Sequence, residues 1–289
     1  MTGYTNYSSD LNLNYWTGQP GFPVTGNVFM ALFTAVGTDA GTGFTEVSGG
    51  SYARLQLAGT GTTNNTTASG NPTLHFATTP SWVVAGMFIF DTTTSGVIPA
   101  STTVLSTTTN TVTMSANATA GGVGNGDTIR FSAFNAASGT APSTTSNAAT
   151  VSFVQSSAAW GTIIGWGFYD ASTSGNLSFW DYIGNYTWNP FTCTSASPGV
   201  LTSPAHGYSN GDSVVVTAEY GGTLPTTGGS WSGLLTVAGV TTDTFTAGVN
   251  TTGTGDGQVR KVTSLVVGSN PTTITFTGGM PGNIVLTGA

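Results

Sequence analysis

Short runs in which apolar and polar residues alternate recur along the whole chain, and clusters of Gly, Asn, Asp, Thr or Pro separate them. Alternation with a period of two, in runs rich in Val, Ile, Thr and aromatic residues, is typical of β-strands. No window shows a helical period. The pattern predicts an all-β protein, an antiparallel β-sandwich body with two small inserted β-sandwich or barrel-like modules. The runs are ARLQLA (53–58), TVTMSA (111–116), DTIRFSAF (127–134), ATVSFV (149–154), SVVVTAEY (213–220), LLTVAGV (234–240), TITFTG (273–278) and NIVLTG (283–288).

Charged side chains make up only 5% of the 289 residues, against about 25% in ordinary soluble domains. The four basic residues are Arg54, Arg130, Arg260 and Lys261, and the formal net charge is −7. Nucleic acids and anionic membrane surfaces attract clustered Lys and Arg, so neither is an expected partner. A neutral surface of hydroxyls, amides and glycine suits a protein that packs against copies of itself or other partners.

Metal, disulfide and membrane chemistry find little support in the sequence. Cys193 is the single cysteine and cannot form an internal disulfide, and His75 and His206 lie far apart along the chain. No metal or cofactor is therefore predicted. Residues 1–16 lack a basic segment followed by an apolar one, so we expect no secretory signal peptide. No apolar run is long enough to span a bilayer.

Two segments of the chain resemble each other. TTNTVTMSANAT (108–119) matches TTDTFTAGVNTT (241–252), and each is followed by a Gly-Asp turn and a strand with an arginine, GDTIR (126–130) and GDGQVR (255–260). Self-similarity of this kind indicates repeated structural units, although a Thr- and Gly-rich composition also produces such matches by accident.

The repeat divides the chain into three parts. Two β-modules are predicted over 70–132 and 191–262, each within the usual length of a small domain. The remaining segments, 1–69, 133–190 and 263–289, would form one discontinuous β-sandwich body. Both modules would then be insertions at loop tips, where insertions are tolerated.

The segment WGTIIGWGFYDASTSGNLSFW (160–180) predicts a hairpin rich in aromatic residues. Alternation would place Ile163, Gly165, Gly167 and Tyr169 on one face and Ile164, Trp166 and Phe168 on the other. Asp170 to Asn176 would form the turn, and Leu177 to Trp180 the returning strand. We expect burial on both faces, one in the core and the other against a neighbouring chain. The candidate core or interface aromatics are Trp160, Trp166, Phe168, Phe179 and Trp180.

Catalytic chemistry is not predicted. The loop before Arg54 contains two acids, and the simplest interpretation is that Asp39 caps a turn and Glu46 pairs with Arg54 or a backbone N–H. Other acids follow glycines in predicted turns, and no paired carboxylates of the kind needed for general acid–base catalysis are visible. The His75 strand position and the His206 loop position suggest packing and a local hydrogen bond, and no nucleophile elbow or phosphate-binding motif occurs. Calcium binding by turn residues has no visible ligand set.

Three tryptophans near predicted loops, Trp82, Trp188 and Trp231, are candidate glycan contacts. A flat aromatic ring in a loop can stack on a sugar ring. The other interpretation is that each tryptophan fills the core of its own module, since tryptophan is on average highly buried.

The segments VFMALFTAVGTDAGTGFTEVSGGSYAR (28–54) and AAWGTIIGWGFYDASTSGNLSFWDYI (158–183) resemble a family of phage tail-fibre proteins. The family has a YLALFTA…GTEVSGGSYAR segment and a later WGTVTHFGLFDAATGGNLLFW segment. Members are typically shorter and lack the two modules, and TITFTGGMPGNIVLTG (273–288) replaces the strand pair at their end. The matching residues are Phe29, Ala31, Leu32, Phe33, Thr34, Glu46, Ser48, Gly49, Gly50, Tyr52, Arg54, Trp160, Gly161, Gly167, Asp170, Gly175, Asn176, Leu177 and Trp180.

The resemblance implies a virion structural protein without enzymatic activity. We expect a tail-fibre or tail-appendage component, made in the host cytoplasm, that docks through its body and projects two modules. It would form a homo-trimer or another homo-oligomer and contact other proteins of the tail or capsid. The alternatives are a capsid decoration or head-fibre protein, and a module that binds a glycan or receptor on the host surface.

Overall fold

The computed structural model describes residues 3–5, 7, 26–138, 143–184, 187–218, 222–226, 230–278 and 285–288. Every element with defined bounds is a β-strand, and every pairing between them is antiparallel. The all-β prediction is confirmed, while the arrangement as a β-sandwich stays a prediction. Most of residues 1–16, and the predicted strand ends 219–220 and 283–284, lie outside the described residues.

The largest sheet has eight strands, numbered here in chain order along the whole protein. Its strand order is β1-β14-β13-β2-β4-β9-β6, and β3 pairs with β2 at the side of this path, with the bounds that follow. These are β1 (Gly3–Tyr4), β2 (Val28–Ala35), β3 (Thr45–Glu46), β4 (Leu55–Thr62), β6 (Phe88–Asp91), β9 (Thr128–Ser132), β13 (Gly165–Tyr169) and β14 (Leu177–Tyr182).

A second sheet contains six strands from the later part of the chain. They are β15 (Asn189–Cys193), β16 (Val200–Thr202), β17 (Ser213–Thr217), β18 (Leu235–Thr236), β19 (Thr244–Thr246) and β20 (Gly255–Val262). Their order is β18-β17-β20-β15-β16-β19. A separate hydrophobic core lies on this sheet and includes Phe191, Leu201, Val214, Phe245 and Val259.

Smaller ladders complete the structure. Three strands pair in the order β5-β8-β7, and three further pairs join β10 to β23, β11 to β22 and β12 to β21, so the end of the chain returns to 143–163. That return agrees with a body built from discontinuous segments. The bounds are β5 (Thr73–His75), β7 (Val104–Thr107), β8 (Thr111–Met114), β10 (Ser143–Ser146), β11 (Val151–Ser152), β12 (Gly161–Ile163), β21 (Leu265–Val267), β22 (Thr275–Phe276) and β23 (Val285–Gly288).

Strands β4 to β9, the first unit, pair in the same way as strands β15 to β20, the second unit. The pairs β4–β9, β6–β9 and β5–β8 correspond to β15–β20, β17–β20 and β16–β19. The register corresponds as well, because Leu74 lies opposite Val112 and Leu201 lies opposite Phe245. The chain therefore contains a repeated β-unit, as the sequence match indicated.

The turns at the matched positions have the same hydrogen bonds. The Thr108 N–H donates to the Thr111 carbonyl at 2.8 Å, and the two hydroxyls lie 2.7 Å apart. The Thr241 N–H donates to the Thr244 carbonyl at 2.8 Å, and those hydroxyls also lie 2.8 Å apart. Threonine hydroxyls stabilise such turns locally.

The two units are attached to the body differently. The first unit includes β4, which begins before the predicted boundary at 70, and its strands β9 and β6 belong to the largest sheet. Its buried residues belong to the same hydrophobic cluster as those of the body, whereas the second unit has a hydrophobic cluster of its own. The division into a body with modules at 70–132 and 191–262 stays a prediction.

Both faces of the largest sheet are covered near β2. Met30 and Leu32 lie in the main core, while Ala31 and Phe33 lie in a third cluster with residues of the second unit. This explains why β2 reads as a continuous apolar run and does not alternate, since a strand buried on both faces needs apolar residues at every position.

Candidate functional site

Arg54 connects the two segments that resemble the fibre family. Its guanidinium forms a bidentate ion pair with Glu46, with Nε–Oε1 and Nη2–Oε2 distances of 2.9 and 2.7 Å. Its Cζ lies 3.5 Å from the ring centroid of Tyr169, and Nη1 donates to the carbonyls of Ala171 and Ser174 at 2.9 and 2.5 Å. The predicted Glu46–Arg54 pair is confirmed. A planar guanidinium suits this position because it can pair and stack at once.

Tyr52 extends the same network into the main core. Its hydroxyl donates to Glu46 Oε1 at 3.1 Å and accepts the Leu32 N–H at 2.9 Å. Its ring stacks on Phe153 and meets the edge of Trp160, with centroid distances of 6.0 and 5.4 Å. Burial raises the pKa of Tyr52 far above its usual value. The hydroxyl therefore stays protonated at neutral pH and can donate its hydrogen bond to Glu46.

The predicted hairpin and its turn are confirmed. Strands β13 and β14 pair through residues 165–169 and 177–182. Asp170 accepts the Asn176 N–H and side-chain amide, both at 2.8 Å, and the Tyr7 hydroxyl at 3.2 Å. Burial opposes ionisation of Asp170, but these hydrogen bonds prevail and lower its pKa below the usual value. The carboxylate therefore holds the turn closed.

The five candidate interface aromatics have packing partners within the chain. Trp160, Trp166 and Phe168 lie in the main core, Trp180 lies in the third cluster, and half-buried Phe179 packs on the main core. The second unit supplies Val215 and Val262 to the third cluster, so this chain itself contributes to both faces of the hairpin. A contact between these aromatics and a second copy stays a prediction.

The predicted alternation is correct within β13 and wrong before it. Trp166 and Phe168 lie in the main core, and Tyr169 packs on the third cluster, as predicted. Ile163 and Ile164 are exchanged relative to the prediction, because Ile163 lies in the main core and Ile164 packs on the third cluster. The strand is interrupted at Ile164, where β12 ends its pairing with β21 and β13 begins its pairing with β2. This interruption shifts the alternation.

A buried ion pair joins the second unit to the hairpin. Arg260 on β20 pairs with Asp181 on β14, and only 1% of Arg260 is exposed. Burial raises the pKa of Asp181 to about 6, against the opposing effect of Arg260. The guanidinium carbon also lies 5.0 Å from the ring centroid of Trp188. These contacts fix the position of the second unit on the body.

Two of the three candidate glycan-contact tryptophans meet in one cleft. Trp188 and Trp231 are half-buried and line a cleft of about 140 Å³ together with Asp39 and Trp180. Asp39 Oδ1 accepts the Trp180 indole N–H at 3.1 Å, whereas its role as a turn cap stays a prediction. The third candidate, Trp82, lies elsewhere and packs on the main core.

The remaining candidate chemical groups are used in packing. The His206 Nδ1 accepts the Tyr208 N–H at 2.9 Å, which confirms the predicted local hydrogen bond, and His75 lies on β5 as expected. Cys193 is a free, buried thiol, and burial raises its pKa. Among the described residues, no group of three or more His, Cys, Asp or Glu side chains could bind a metal ion, and no helix could span a bilayer.

The fold and these contacts define an all-β protein in which polar side chains stabilise turns and form ion pairs between segments of the chain. The chain belongs to the family of the podophage GP4 fiber I protein gp80, whose model matches residues 3–135 and 97–186. The predicted relation to a phage fibre family is confirmed. No curated protein and no solved structure matches the chain.

The matched residues include both segments joined by Arg54 and all of 70–132, and they end before β15. Of the two predicted insertions, only 191–262 lies outside the match.

Proposed function

We propose that this chain is a non-enzymatic structural protein of a podophage virion, a component of a tail fibre or tail appendage. The observation that carries the proposal is the family match, which covers both segments that Arg54 joins. A β-protein with few charged residues suits a particle component that works by shape and contact.

In this proposal the body, with the first unit packed into it, docks on the particle, and the second unit projects. The shared sheet and core of the first unit support its place in the docking part. The separate core of the second unit and its position outside the family match support its role as a projecting module. The Asp181–Arg260 pair holds the projecting unit in one orientation.

The working form in this proposal is a homo-trimer or another homo-oligomer that contacts other virion proteins. The scarcity of charge supports self-association. So does an exposed apolar side chain of β6, Phe90, which is 45% exposed and lines a depression of about 600 Å³ with Phe88 and Phe134. Sedimentation-velocity ultracentrifugation of the purified chain would test the oligomer, and a monomer at micromolar concentration would contradict it.

Immunoelectron microscopy tests the location. An antibody raised against 191–262 is applied to intact and to disrupted particles, with antibody pre-absorbed on the purified chain as the control. Label on the tail or its fibres is expected. Label over the head would favour the alternative of a capsid decoration or head fibre, and no label on intact or disrupted particles would overturn the virion proposal.

A further inference from the structure

We propose that the cleft lined by Trp188, Trp231 and Asp39 binds one residue of a neutral saccharide. The cleft lies between the loop of residues 37–39 and the second unit, and its volume of about 140 Å³ suits a single sugar ring better than a longer ligand. The inference uses only residues of the cleft and does not depend on where the protein lies in the virion.

Both tryptophan rings are held in place before any ligand arrives. Trp188 is positioned by Arg260, whose own orientation is fixed by the buried pair with Asp181. The Trp231 indole N–H donates to the Pro225 carbonyl at 3.0 Å, and its ring contacts Phe191 at a centroid distance of 6.4 Å. Fixed rings lose little conformational entropy when a ligand binds, which favours affinity.

The polar groups of the cleft complement hydroxyl groups. Asp39 Oδ1 accepts the Trp180 indole N–H, and a carboxylate has further acceptor sites on both oxygens. Thr38 and Ser232 are exposed at the cleft and add hydroxyls. A carboxylate beside flat aromatic rings matches a ligand with apolar faces and a hydroxyl rim. The negative charge of Asp39 disfavours an anionic sugar, so the ligand class is a neutral hexose or N-acetylhexosamine.

The repeat provides an internal comparison. In the first unit, the residue opposite Arg130 is Thr60. In the second unit, Asn189 lies opposite Val259, so the preceding residue, Trp188, comes next to Arg260. Trp188 therefore occupies the position that Thr60 has in the first unit. The connection that carries Trp231, 218–234, is longer than the corresponding connection 92–103, which contains no tryptophan. Both aromatic walls of the cleft are therefore specific to the second unit and are not required to form the repeated β-unit.

Saturation-transfer difference NMR on the full chain tests the proposal. The probes are the methyl glycosides of glucose, galactose, mannose, N-acetylglucosamine and N-acetylgalactosamine, with N-acetylneuraminic acid as the anionic comparison. We expect at least one neutral glycoside to bind with a Kd near the millimolar range, about −4 kcal/mol. Binding of none of the neutral probes, or of the anionic sugar alone, would overturn the proposal.

Four variants locate the binding. Trp231→Ala removes one wall, and Ser232→Trp fills the cleft from an exposed position without removing a core side chain. Each should weaken binding about tenfold or more, since a lost aromatic contact costs about 1.4 kcal/mol. Asp39→Asn keeps an acceptor for Trp180 and should weaken binding a few-fold. Trp82→Ala, the matched control outside the cleft, should stay within about twofold.

Circular dichroism establishes whether each variant is folded. If Trp231→Ala does not fold, the binding measured for Ser232→Trp decides the outcome. Unchanged binding by folded Ser232→Trp would place the saccharide elsewhere and overturn the assignment.

Discussion

The guanidinium of Arg54 lies over the ring of Tyr169, with its carbon 3.5 Å from the ring centroid. Arg54 follows the loop of residues 37–50, and Tyr169 ends β13, so one cation–π contact holds together segments that are more than a hundred positions apart. The bidentate pair with Glu46 and the bonds to the turn carbonyls complete the junction. Glu46, Tyr52 and Arg54, which carry part of the family resemblance, thus belong to one folded junction with the later segment.

Replacing Arg54 should destabilise the body. Arg54→Ala removes a side chain that is 8% exposed and leaves Glu46 and two turn carbonyls without this donor. We expect a loss of about 2–4 kcal/mol in the free energy of unfolding, measured by urea denaturation. Arg54→Lys keeps the charge but cannot form the bidentate pair, and should lose about half as much. Equal stability of Arg54→Ala and the wild type would show that the junction contributes nothing.

The pH dependence of the free energy of unfolding should reveal the titration of Asp181. Its pKa of about 6 in the folded protein lies above the usual value near 3.9. The folded state therefore binds this proton more tightly, so the stability contributed by Asp181 is full below about pH 4 and is lost as the pH rises through about 6. Between pH 7 and pH 4.5, the free energy of unfolding of the wild type should rise by about 2 kcal/mol relative to Asp181→Asn. A difference that is constant or falls toward low pH would contradict this.

The two matched turns should respond equally to the same substitution. Thr108→Val and Thr241→Val each remove a hydroxyl that contacts the threonine three positions later and accepts a backbone N–H. Each should cost about 0.5–1.5 kcal/mol in urea denaturation. Thr107→Val, at an exposed position on β7, is the control and should cost less than about 0.5 kcal/mol. Unequal losses would show that the turns differ in energy despite equal geometry.

Gly167 should tolerate no side chain. A Cβ there would lie 2.6 Å from Leu177 Cδ1, 2.7 Å from Phe33 Cε2 and 2.8 Å from the Phe179 carbonyl oxygen. We expect Gly167→Ala to lower the free energy of unfolding by about 3 kcal/mol through overpacking. Gly268→Ala is the control, since a Cβ at Gly268 meets no atom within 4 Å. Similar melting temperatures for the two variants would refute the expected crowding.

The second unit should fold by itself. A fragment of residues 187–263 keeps the six-stranded sheet and its separate core, but Val215 and Val262 lose the third cluster, in which they lie with residues of the body. We expect a cooperative thermal transition by circular dichroism, at a lower temperature than in the full chain. A fragment without a cooperative transition would show that the unit depends on the body.

Features with a local cause could be predicted from the sequence. The hairpin of β13 and β14 was visible because alternation and turn residues act over a few positions, and Glu46 and Arg54 are close in sequence. The repeat can be predicted because both copies contain a threonine-rich turn and a later strand with an arginine.

Features that depend on distant segments could not be predicted. Nothing near Asp181 in the sequence indicates Arg260, since the pair forms only when the second unit packs on the hairpin. The interruption at Ile164 depends on a change of strand partner supplied by β21 and β2. The meeting of Trp188 and Trp231 likewise follows from the packing of the second unit.

The chain leaves the body for the second unit near Gly184 and returns near Val262, and these two residues are bridge partners. The Thr263 N–H donates to the Ile183 carbonyl at 2.8 Å, so departure and return lie side by side. A segment with adjacent ends can be gained, lost or exchanged in a single recombination event without displacing the strands on either side. If the body docks on the particle as proposed, exchange of this segment changes what the protein presents and leaves its attachment to the particle unchanged.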